Sequence, residues 1–104
     1  MTAATYKIER NAIDTDYMAA LAVIDTEYQS QRFPVEVEYR AGYELLEQPL
    51  EFGDPNPHTQ FDILTVAYNA QIAPLASAYM VKIKIVNRAY FASVHALGER
   101  YSKD

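Results

Sequence analysis

The chain has 104 residues and a mass of 11.8 kDa; half of it is hydrophobic and 22% charged, enough for a buried core and too apolar for a disordered tail. Nine Lys and Arg against fourteen Asp and Glu leave a net charge of −5, which disfavours non-specific binding to a phosphate backbone. Cysteine is absent, so disulfide frameworks, thiolate metal sites and Cys nucleophiles are excluded.

A reducing compartment suits such a composition. Met1–Lys7 lacks the basic-then-apolar pattern of a leader, and no apolar run reaches the length of a membrane span, so the expected location is cytoplasmic. The acidity is uneven. Met1–Phe52 holds four bases and ten acids, whereas Gly53–Asp104 holds five bases and four acids.

In chain order, Tyr6–Arg10 reads as a short opening strand. Ile13, Tyr17, Leu21, Ile24 and Tyr28 are spaced for one face of a helix over about Ala12–Ser30, with Asn11 as N-cap and Pro34 as its stop. Phe33, Val35, Val37 and Tyr39 then alternate with Pro34, Glu36, Glu38 and Arg40, the pattern of a half-buried strand. Ala41-Gly42 is the expected turn, and Tyr43–Phe52 the return strand, limited by Pro49. Gly53–His58 has loop composition.

Phe61–Ile72 is β-rich and is interrupted by Pro74. Tyr79, Val81, Ile83 and Ile85 alternate with Lys82 and Lys84 as a second clean strand. A final helix carries Tyr90, Val94, Leu97 and Tyr101 on one face, with Asn87 as N-cap and Gly98 as its weak point. The predicted fold is therefore α+β: a single domain over residues 1–104, in the order (β)αββ(β)βα, with two helices on one face of a small antiparallel sheet.

Tyrosines stand at 6, 17, 28 and 39 and again at 68, 79, 90 and 101, every step within a set being eleven residues. Eleven residues close three helical turns, so a helix returns each Tyr to nearly one azimuth. One long helix from Pro74 through Tyr101 is thus an alternative to strand-then-helix. The crowding of Val81, Ile83, Ile85 and Val86 favours the strand. A hendecad coiled coil is set aside, and the tyrosines are read as core residues.

No catalytic motif emerges. His58 and His95 are isolated and lack metal-ligand spacing, the serines have no elbow context, and three glycines build no phosphate cradle. No cofactor or metal is expected. The favoured function is a non-enzymatic protein-interaction domain: a small acidic accessory, inhibitor or assembly protein, as phages and plasmids encode. It would act through Glu36, Glu38, Glu44, Glu47 and Tyr43 on a basic partner and also form a homo-oligomer. Two alternatives remain. One is a small cofactor-independent oligomeric enzyme using His95 or His58 with a carboxylate. The other is nucleic-acid binding through Lys82, Lys84 and Arg88.

Overall fold

The structure is a computed structural model and describes residues 1–47 and 57–103. Two helices account for them, α1 over Ala3–Glu47 and α2 over Pro57–Lys103. Among the described residues there is no strand, which overturns the α+β fold and its antiparallel sheet. Helix runs through Tyr6–Arg10, Phe33–Tyr39, Phe61–Ile72 and Tyr79–Val86, all expected as strands, and through the expected turn at Ala41-Gly42. The described end of the expected return strand, Tyr43–Glu47, is also helix; the rest of it, and residues 53–56 of the expected loop, lie outside the described residues.

The physical reason lies in the alternating segments themselves. Val35 and Tyr39 are half-buried, whereas Phe33 and Val37, two residues out of phase, are exposed on the far side of the same helix. Tyr79 and Ile83 face inward in the same way, with Val81 and Ile85 outward. Apolar residues on two faces of a helix mimic the two-residue period of a strand. The β-branched residues cost a helix only a few tenths of a kcal/mol each, which packing overrides.

Caps differ from expectation as well. Thr2 caps α1: its Oγ1 accepts from the Thr5 amide at 3.1 Å, and its carbonyl accepts from the Tyr6 amide at 3.0 Å. Asn11 and Asn87, expected as N-caps, lie inside helices. Helix α2 opens at Pro57, where the fixed φ of proline suits a first turn, and ends with Arg100 and Lys103 against its negative pole. Pro34 and Pro74 stop neither helix; each sits inside one and removes a ladder hydrogen bond.

The chain divides into two compact units, Met1–Thr26 with Tyr79–Asp104, and Glu27–Ala78. In the first, Tyr6 meets Tyr101 with ring centroids 4.9 Å apart, and Tyr17 stacks on Tyr90 at 4.2 Å. Rising numbers on α1 meet falling numbers on α2, so the pair is antiparallel. Leu97, on the same face of α2, is wholly buried and is the only residue so classed among those described.

In the second unit, Tyr39 meets Tyr68 at 4.5 Å and Tyr43 meets Phe61 at 4.9 Å, again antiparallel. The helices approach closely at Gly42, where a Cβ would stand 2.9 Å from Leu64 Cδ1. Gly98, in the first unit, has open space around its Cα and no positive φ. Gly98→Ala therefore gains helix propensity without a clash and should stabilise the protein by about 0.5–1 kcal/mol, read as a raised midpoint in urea unfolding followed by helical circular dichroism.

Candidate functional site

The polar side chains that converge most closely lie in the first unit. Arg10 and Asp14 are one turn apart on α1, and Tyr90 reaches them from α2. Arg10 Nε donates to Asp14 Oδ1 at 3.2 Å, and Arg10 Nη2 donates to the Tyr90 hydroxyl at 3.1 Å. That hydroxyl donates to Asp14 Oδ1 at 2.7 Å, closing a three-membered network. Beside it the Tyr17 hydroxyl donates to Asn87 Oδ1 at 2.6 Å, and the Tyr79 hydroxyl to Asp25 Oδ1 at 2.6 Å.

The electrostatics follow from the bonds. The Tyr90 hydroxyl, with help from Arg10, holds the Asp14 carboxyl below its ordinary value. Tyr90 and then Asp14 push the Arg10 guanidinium up. Through these bonds the network joins the two helices.

On another side of the same unit runs an open apolar groove of about 260 Å³, lined among others by Ile13, Asp16, Tyr17, Ile85, Ala89 and Tyr90. Residues 22 positions along in each helix line a groove in the second unit, with Val35, Glu38, Tyr39, Ala67 and Tyr68 in the matching places. The spacing is two eleven-residue repeats, and the groove's chemistry repeats with it: an acid on α1, an Ala on α2, tyrosines between.

The expected acidic surface is dispersed. Glu36 and Glu38 do not share a face, because two residues on a helix turn about 200°. Glu36 is bound by Arg32 at 2.7 Å and lines a wide concavity with Tyr39, Arg40, Tyr43 and Tyr68, whereas Glu38 borders the narrower groove. Arg32 lies 5.2 Å over the Tyr28 ring; the Tyr68 hydroxyl first, and Glu36 after it, raise its pKa. Tyr43 packs on Phe61, and Glu44 and Glu47 are exposed at the end of α1.

Elsewhere, His58 is exposed in the first turn of α2. His95 does have a carboxylate in reach, Glu99 at 3.0 Å, but 77% of its side chain is exposed, which leaves it without an enclosing site. Lys84 and Arg88 lie one turn apart on α2, with Lys82 on a different face. Among the described residues no group of His, Asp and Glu is arranged to hold a metal, and no helix is long and apolar enough to cross a membrane.

No protein-family model, curated protein or solved structure matches the chain.

The Arg10–Asp14–Tyr90 network gives the unit an acid limit. A carboxyl held below its ordinary 3.8 when folded contributes stability that is complete above that value and is lost as the pH falls through the folded value. Asp14→Asn should lower the thermal midpoint at neutral pH and flatten its decline below 3.8. Melting curves of both proteins across that range check it.

Proposed function

We propose that the protein is a non-enzymatic helical module that binds protein, its own kind included, through the outward faces of α1 and α2. The observation that carries this reading is how little two helices bury. Leu97 is the one wholly buried residue among those described, while Ile8, Val23, Phe33, Leu45, Val66 and Phe91 are each 64–70% exposed. Scattered exposed apolar residues are ordinary, but here they stand against an almost absent core. A pair of helices has no second layer on which to bury such faces, and a partner's helices supply one.

The polar groups support the same reading, since the network that converges best is tied up in helix pairing. The absence of cysteine fits the cytoplasmic location that belongs to this proposal.

A photo-crosslinking residue at Val23 should give protein adducts in the source cell, whereas one at Asp25, whose carboxylate accepts from Tyr79 at 2.6 Å, should give few. Equal labelling from both positions, or none from either, would remove the outward apolar face as the binding surface.

A further inference from the structure

Resting on that reading, we infer that the partner is a second copy of this chain, the outer face of α1 docking on the outer face of α2 in the next copy, head to tail.

In the first unit the side of α1 turned away from α2 carries Ala4, Ile8, Ala12, Thr15, Ala19 and Val23, all exposed and none charged. Their spacing of 4, 4, 3, 4 and 4 keeps them on one line along the helix. A matching line on α2 in that unit is Val81, Ile85, Ala89, Ala92 and Ala96, again exposed, uncharged and spaced 4, 4, 3 and 4; Ile85 and Ala89 of it also border the groove shared with α1. Large side chains stand in both lines, Ile8 at 70% and Val23 at 67% on α1, Val81 at 56% and Ile85 at 59% on α2. The second unit repeats the pattern, with Val37, Ala41 and Leu45 on α1 and Ile63, Ala67 and Ala70 on α2.

Two properties select the occupant. The first is period. Both lines follow the eleven-residue repeat, so each runs nearly straight along its helix and can lie against the other over its length. The second is charge. Within the first unit the α1 segment has two bases against four acids, and the α2 segment five bases against two acids. Asp16 follows Ala12 and precedes Ala19 by a turn each, flanking the α1 line, and Arg88 stands in the same relation to Ile85 and Ala92 beside the α2 line. Packing α1 on α1, or α2 on α2, sets like charges together, whereas α1 on α2 sets an acidic segment against a basic one. Such a contact is heterologous: a joined pair keeps one unused α1 face on one copy and one unused α2 face on the other, so growth continues until a ring closes or a filament extends.

Sedimentation velocity on the purified chain tests this. The wild type should exceed dimer mass as concentration rises, and raised salt should reduce that growth. Val23→Asp spoils the α1 face and Ile85→Asp the α2 face, and each alone should sediment at 11.8 kDa. Their equimolar mixture should form a 1:1 dimer and stop, because only one sound face of each kind is present. Helical circular dichroism of both variants, and the dimer itself, show that they are folded.

A wild type fixed at 11.8 kDa at every concentration overturns the self-partner. If Val23 still crosslinks to other proteins in cells, the interaction reading survives that result, and if it does not, both fall. Growth of Ile85→Asp equal to wild type also overturns the proposal, since it requires α1 on α1, and so does a mixture that stays monomeric.

Discussion

A helix returns to the same azimuth after eleven residues, and everything distinctive about this chain follows from placing tyrosine at that interval. In the first unit Tyr6 and Tyr17 on α1 meet Tyr101 and Tyr90 on α2, because equal spacing on two antiparallel helices lets both rungs form at once; in the second, Tyr39 meets Tyr68. Each ring pair contributes about 0.5–1.5 kcal/mol beyond its buried area. A tyrosine also brings a hydroxyl to the edge of the seam. There it bonds the flanking polar residue, as Tyr90 does with Asp14 and Tyr17 with Asn87. An aliphatic ladder would pack as well but would leave those flanking groups to water.

The two sides of the helix pair in the first unit have consequently different chemistry. One is crossed by Arg10, Asp14, Asn87 and Asp25, each of which hydrogen-bonds within the chain. The other carries the open, largely apolar groove, with Ile13, Ala20, Ile85, Val86 and Ala89 in its lining. The polar side thus carries bonds that join α1 to α2 in this unit.

The helical periodicity was legible from residue spacing at Ile13–Tyr28 and Tyr90–Tyr101, and the eleven-residue interval was plain. What concealed the rest was the second apolar face. Phe33 and Val37 outside, with Val35 and Tyr39 inside, make a helix whose pattern cannot be told from a strand's by alternation alone. Pro34 and Pro74 reinforced the error, because tertiary pairing retains prolines that an isolated helix would reject at about 3 kcal/mol. Of the site, Asn87 is readable from the sequence only as a capping residue and Asp14 not at all, since their partners Tyr17 and Tyr90 lie 70 and 76 positions away in the sequence.

The two prolines have a mechanical consequence. Continuing the register of Tyr39 with Tyr68 sets Pro34 opposite Ala73 and Pro74 opposite Phe33, so both helices of the second unit lack a ladder bond at one level. The carbonyls of Ser30 and Ala70 lose their usual donors there. A rod that is weakened in one strand alone is splinted by its neighbour; weakened in both at the same height, it has a joint. With both helices interrupted at one height, neither braces the other there, and the second unit bends more easily at that level than a pair of unbroken helices would.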